Sequence, residues 1–410
     1  MPLFPFRFSA SLTAFLLNLT VLLVPAPVVA DEAVVSVSYR VRLAEQGLFE
    51  FGPLELAAPA LTADSSRLVV GTSQGDLFLI DAATSTRLAQ RKLVGGVVAT
   101  PTVAGESLVV GTNDGRVYRL SAESLEPEWK QPAALKGSIV SSPRVWGNLV
   151  FVQDDRSILL ALRFDTGEIV GRFDGQSFAR RGLSPFTIYG YPELEVADST
   201  LYAGFETGTV ARFALAGDAE FGGLDSTWEA GICTAGAFET SDSAEVARLC
   251  SPRRVFRDVD ASPTLTDSGL LTGCYCRGLV MLDPADGKVR WERPVLGPSS
   301  PAIVGGHAVV AAADGYLYAI SLGDGAIRWQ TRLGTSLLSR PGVLGAAGDI
   351  ASTVLVASTG DSLFFVNGAD GTITARFDSL GGIAAPPATA GNVVFLLSNE
   401  GLLYRLDYFR

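Results

Sequence analysis

The sequence is poor in histidine, methionine, cysteine and charge, and each shortage closes off a class of function. His307 is the only histidine among 410 residues. That leaves no material for a multi-histidine metal site and little for histidine general-base catalysis. A Ser/His/Asp arrangement would have to use this one residue. His307 falls at a turn before an apolar strand, without a recognisable companion, and reads as incidental. Two methionines beside 44 glycines and 21 prolines point away from helix bundles and toward many short elements joined by tight turns. Charged residues make up only 18%, the net charge is −11, and no basic block exists; binding to a nucleic-acid backbone is therefore not expected. With 48% hydrophobic residues the chain is nevertheless not a disordered one.

The only long apolar run is the first thirty residues. A single cation, Arg7, precedes an uncharged stretch ending at Ala30, and Val28 and Ala30 occupy the −3 and −1 positions of a cleavage site before Asp31. This is a secretory signal pattern, and Pro25 and Pro27 favour cleavage by breaking the apolar helix. The alternative is retention as an anchor, since the stretch is long enough to span a bilayer. It contains no cysteine for lipid attachment. The expectation is a signal peptide at 1–30 and an exported mature chain, 31–410, without a membrane span.

Export makes disulfides the natural reading of the four cysteines. Cys233, Cys250, Cys274 and Cys276 lie within one window of 44 residues. Cys274-Tyr275-Cys276 lacks the spacer of a zinc knuckle and has no histidine nearby, so no metal site is expected. Four cysteines allow three pairings, and the sequence alone does not choose among them.

The rest of the chain is one repeat. PTVAGESLVVGTNDGRVYRLSAESLEPEW from Pro101 returns as PTLTDSGLLTGCYCRGLVMLDPADGKVRW from Pro263 and as PAIVGGHAVVAAADGYLYAISLGDGAIRW from Pro301. Repeats open at Pro59, Pro101, Pro143, Pro192, Pro263, Pro301, Pro341 and near Pro386, and the long interval from Pro192 to Pro263 holds an insertion at about 221–257. Each unit starts a short strand at proline, where the missing N–H is harmless. A β-branched run and a tight turn follow, as at Asn113-Asp114-Gly115. A third strand, a second turn (Thr166-Gly167, Asp286-Gly287, Asp324-Gly325, Asp370-Gly371) and a fourth strand complete the unit, the last often with tryptophan (Trp129, Trp291, Trp329). Four antiparallel strands in about forty residues make a β-propeller blade. A tryptophan recurring at one position reads as packing between blades.

The last repeat supplies three strands before the chain stops, whereas Val34–Leu43 is an alternating strand with no blade of its own. It is expected to complete the final blade. The fold class is therefore all-β: a single eight-bladed β-propeller over 31–410, its last blade closed by the N-terminal strand.

These repeats resemble the pyrroloquinoline-quinone (PQQ) type of propeller repeat, through the proline start, hairpin glycine, Leu-Asp, turn glycine and tryptophan. The resemblance covers about residues 34–410. Within that superfamily the chain is most similar to the BamB family of outer-membrane protein assembly factors. RVFRDVDASPTL at 254–265 resembles the family's approach to the fifth blade, and QSFARRGLSP at 176–185 its link from the third to the fourth. The resemblance implies a non-catalytic periplasmic scaffold of a Gram-negative bacterium, without a cofactor, that binds the POTRA domains of the β-barrel insertase. It assigns partner contact to Phe178, Arg181, Asp258 and Asp260, with Arg180 a neighbouring basic addition. A general periplasmic propeller for another protein or a glycan is the alternative. A PQQ-dependent dehydrogenase is the third reading, but the cysteines are not adjacent and no calcium-holding set can be assembled.

Alternating strand direction places the turns between second and third strands, and the links between blades, on one face. Both resembling segments, the insertion and the Cys274–Cys276 turn share it. Pairing of Cys233 or Cys250 with Cys274 or Cys276 is geometrically possible there, as is Cys233–Cys250. A Cys274–Cys276 bridge would be strained. Asp258 and Asp260, two apart on a strand, are expected to point the same way.

Overall fold

A computed structural model describes residues 33–44, 55–175, 192–217, 221–233, 258–345, 352–360 and 362–409. Phe178, Arg180, Arg181 and Cys250 lie outside these residues, as does the signal segment. The described residues form eight four-stranded antiparallel sheets, each one blade of a β-propeller. Within a blade the strands run A to D in chain order. The A strands of most successive blades touch, including those of blades 8 and 1. The D strands present the alternation of a half-exposed edge, as in Ile327–Arg332.

Ring closure follows the sequence expectation. Val34–Arg42 pairs antiparallel with Leu402–Phe409 and becomes the outermost strand of blade 8. One bulge, between Val37 and Tyr39, interrupts this register. Half-buried Val35 then joins the apolar layer between blades 7 and 8, and Tyr39 and Val41 join the layer between blades 8 and 1.

The hydrophobic core is a set of layers between blades. Phe151, Leu159 and Ala161 of blade 3 pack with Leu201, Ala203 and Phe213 of blade 4. Blades 4 and 5 share Tyr202, Val210, Leu270 and Val280. This distribution follows from strands buried on both faces, which read as continuous apolar runs such as Leu149–Gln153.

The tryptophans join neighbouring blades, as expected. In the three recurring tryptophans the indole N–H donates to a carbonyl in the C–D turn of the next blade: Trp129 to Phe164 at 2.9 Å, Trp291 to Leu322 at 2.9 Å, and Trp329 to Gly368 at 3.0 Å. Trp228, which the repeat reading passed over, does the same to Pro284 at 3.1 Å. Its strand, Ser226–Gly231, is the D strand of blade 4. The insertion expected from about residue 221 therefore begins only after this strand. Docking of Trp228 on blade 5 is the physical reason that residues 226–231 belong to the blade. Blade 2 is the irregular one: its D strand shrinks to Ala133–Ala134, with a single bridge from Leu120 to Pro127. Pro127 has no N–H to extend that ladder.

Around the axis, residues at the blade starts hydrogen-bond from one blade to the next. Thr100 Oγ1 accepts from Ala58 N at 3.1 Å, and Ser300 Oγ accepts from Ser262 N at 2.9 Å. Glu193, at the start of blade 4, is the hub. Its carboxylate accepts the Ser142 N–H and hydroxyl, both at 2.8 Å, and its own N–H donates to Ser262 Oγ at 2.8 Å. Arg144 and Arg340 each stand 3.7 Å from the same carboxylate. Arg340 belongs to blade 7, which is no neighbour of blade 4, so this ion pair crosses the ring.

Candidate partner-binding site

The candidate site lies on the face carrying the B–C turns and the inter-blade links, and is built from three of those turns and one extended strand. In most blades the A strand is two or three residues long. In blade 5 it begins early and runs Val259–Thr266, with bulges between Val259 and Ala261 and between Ala261 and Thr264. Bulges redirect side chains and bend the strand. The early start lays residues 258–260 against the blade 4 turn, where Val259 N donates to Phe205 O at 3.3 Å.

Asp258 and Asp260 therefore meet different surroundings. Asp258 is half-buried, and burial pushes its carboxyl up to about 6. Asp260 is only 5% exposed. Burial, then the neighbouring Asp258 charge, pushes it up to about 8, against the lowering effect of a hydrogen bond from the Tyr275 N–H. Its Oδ2 has no hydrogen-bond partner.

Cys233 and Cys274 are joined by a disulfide, with Cα atoms 5.7 Å apart. Of the pairings left open by the sequence, this is one that ties the start of the insertion to the B–C turn of blade 5. Cys276 is disulfide-bonded as well. The bridge is contiguous with the acid pair: Cys233 Sγ lies 3.4 Å from Asp258 O. Ile232 and Cys233 donate their N–H groups to Gly208 O, and Arg277 Nη1 holds Ile232 O at 2.7 Å. Buried Tyr275, between the two bonded cysteines, is the residue that contacts Asp260.

The structure adds acids that the sequence reading did not single out. Asp154 and Asp155 form the B–C turn of blade 3, and Glu206 lies in that of blade 4. Asp154 is buried, its Oδ1 accepting from Arg156 N and Ile158 N at 3.0 and 2.9 Å. Burial raises its carboxyl despite those bonds and nearby Arg156. Glu206 is pushed up to about 7 by burial first, then by Asp258, Asp155 and Asp154. These residues occupy turn positions where Asp and Asn recur in other repeats for backbone reasons, so turn chemistry concealed them. Among the described residues no group of three or more His, Cys, Asp or Glu is arranged to hold a metal ion, and no helix is long and apolar enough to cross a membrane.

Phe178, Arg180 and Arg181 belong to the link between blades 3 and 4, outside the described residues. Its two anchors are described. Gly175 N donates to Ser157 O at 2.9 Å on the near side, and Glu193 follows on the far side. A Cβ at Gly175 would stand 2.3 Å from the Phe205 ring, so only glycine fits there without displacement of that ring.

Fold and face together define an eight-bladed propeller of PQQ-type repeats, elaborated on one face. A family model described as outer membrane protein assembly factor BamB matches residues 30–181 and 206–350. The chain belongs to that family. A protein of that name from Burkholderia pseudomallei is 25% identical over 394 residues, covering 93% of this chain and 91% of the other. One from Bordetella pertussis is 26% identical, with 75% and 82% covered. Among solved structures, BamB from Moraxella catarrhalis superposes with a TM-score of 0.71 at 16% identity, covering 91% of this chain and all of that one. The quinohemoprotein alcohol dehydrogenase of Comamonas testosteroni superposes at 0.67 and 14% identity, with 91% and 76% covered. At such identities the likeness is one of fold alone.

Proposed function

We propose that this protein is a non-catalytic scaffold in the assembly of outer-membrane β-barrel proteins, exported to the periplasm of a Gram-negative bacterium. The observation that carries the reading is the family match across residues 30–181 and 206–350. The partner-binding face is the one built from the blade 3–4 link and the approach to blade 5. Phe178, Arg180 and Arg181 act from the link, and Asp258 and Asp260 from the early start of blade 5. The partner is the POTRA region of the barrel insertase. The Cys233–Cys274 bridge supports this face as a rigid one, since it fastens the chain next to Asp258.

The dehydrogenase reading has less behind it. The sequence argument against it was that adjacent cysteines are missing, and Cys274 is bonded to Cys233 rather than within its own turn. Affinity capture from periplasmic extract tests the proposal. Wild-type protein is expected to recover the barrel insertase, and Arg181→Glu combined with Asp258→Lys is expected to lose it. Capture that survives the double substitution would place the binding surface elsewhere. Dye-linked alcohol oxidation on addition of PQQ and calcium would overturn the non-catalytic reading.

A further inference from the structure

The acidic character of this face reaches beyond the two aspartates of blade 5. Three consecutive blades contribute: Asp154 and Asp155 from blade 3, Glu206 from blade 4, and Asp258 and Asp260 from blade 5. Hydrogen bonds hold their turns together. Glu206 N donates to Ser157 Oγ at 3.2 Å, Gln153 Nε2 to Gly204 O at 2.8 Å, and Val259 N to Phe205 O at 3.3 Å. The acids are thus placed by backbone that is itself tied down, as a pre-organised site requires.

Four oxygens at these turns are buried and without a hydrogen-bond partner: Gln153 Oε1, Glu206 Oε1, Thr207 Oγ1 and Asp260 Oδ2. Of the two acids among them Asp260 is the more enclosed, at 5% exposure. Leaving an acceptor buried and unpaired costs the full desolvation of that group, more for a charged one. Supplying a donor from outside would recover that cost. Among the described residues the ion-paired cation at this group is Arg156, 3.7 Å from Asp154 and on the exposed side. Burial and the surrounding acids hold the Glu206 proton on; an arriving positive charge would relieve them.

We propose that Asp155, Glu206 and Asp258, backed by Asp154 and Asp260, form an acidic recess that receives a basic side chain of the protein partner, with Glu206 its specificity-determining residue. The inference rests on the reading of this face as the partner surface. A cationic side chain suits the recess better than a metal ion. Asp154 already gives an oxygen to two backbone N–H groups, and Asp155 Oδ1 accepts from Ser138 N at 3.0 Å. The donors of a guanidinium fork reach acceptors held apart, whereas a small ion needs them converging at one point.

The test measures binding of the full exported protein to the purified POTRA region of the insertase by titration calorimetry, at low and at moderate salt. Glu206→Gln is expected to weaken binding about five- to tenfold and to make it less sensitive to salt. Glu206→Asp should retain most of the affinity. Glu206→Gln should melt no lower than wild type, because it removes a repelled, partly buried carboxyl. If Glu206→Gln binds like wild type while Asp258→Asn is weakened, the recess is wrong and the partner surface stands. If neither substitution changes binding, the surface itself is wrong. Calcium alone, titrated into the protein, raising the melting temperature of wild type but not of Glu206→Gln, would make the site a metal site and overturn the proposal.

Discussion

At the scale of single residues, the ring is specified where the tryptophan of one blade meets a turn glycine of the next. Gly167, Gly287, Gly325 and Gly371 all have positive φ. A Cβ at these positions would stand 2.9, 2.8, 2.7 and 2.5 Å from Trp129, Trp228, Trp291 and Trp329. Two separate demands therefore select glycine, a left-handed backbone and a flat surface for an indole. Gly371→Ala meets both penalties. It is expected to cost about 2–4 kcal/mol, read as a lowered midpoint in urea denaturation, and Trp329→Phe should cost less because it loses mainly one hydrogen bond. Both the glycines and three of the tryptophans were legible in the sequence, because their recurrence once per repeat has a local cause. Trp228 was missed because its strand stands beside the long insertion and lacks the Asp-Gly turn of the better copies. Glu206 was missed for a different reason: its burial and the repulsion by its acid neighbours arise only when three blades are brought side by side. Glu193 gave no signal either, since a carboxylate that meets an arginine from three blades away leaves no periodic trace.

At the scale of elements, the strand Val34–Arg42 does more than fill a vacancy. Leu402–Phe409 pairs with it over nearly its whole length, and without it those backbone groups would form an open edge. The strand also brings Val35, Tyr39 and Val41 into two inter-blade layers, while Val34 and Val37 on its outer side remain exposed. Its alternation, VVSVSYRVR, was readable because one face must be buried, and the count of three strands in the last repeat told where it belongs. Strand bounds were less readable: in blade 5 the A strand is longer than the repeat implies because its early residues pair with the extended end of Gly269–Cys274. Deleting residues 34–42 is expected to leave blade 8 with an unpaired, apolar edge. The measurable outcome is a loss of the single cooperative thermal transition by circular dichroism, with aggregation detected by light scattering at temperatures where the intact chain stays monodisperse. Preserved melting after that deletion would mean that the three remaining strands of blade 8 hold its two layers by themselves.

At the scale of the whole molecule, the two groups of acids set opposite responses to pH. Exposed turn carboxylates are hydrogen-bonded in the folded state: Asp64 is drawn down to about 2 by Ser66 and Thr62, and Asp81, Asp283, Asp286 and Asp324 are lowered by similar side-chain bonds. Their contribution is present above the ordinary carboxylate range and is lost only as pH falls below about 4. The acids of the proposed partner face behave in the other sense. Asp258, Glu206 and Asp260 are raised to about 6, 7 and 8, so the folded chain keeps protons that the unfolded chain has released. Stability then falls as pH rises from about 4 through 8, the window between the unfolded and folded values. Between pH 5 and 8 the lowered group is fully ionised in both states and contributes no slope, which leaves the raised group in control. The melting temperature is therefore expected to be higher at pH 5 than at pH 8. Asp260→Asn should raise it at pH 8 and flatten the slope, since it removes the most deeply buried of the three charges. A melting temperature that instead climbs with pH across this window, or a slope unchanged in Asp260→Asn, would show that these carboxylates ionise freely in the folded protein. In that case the acceptors of the proposed partner face would already be satisfied before any partner arrives.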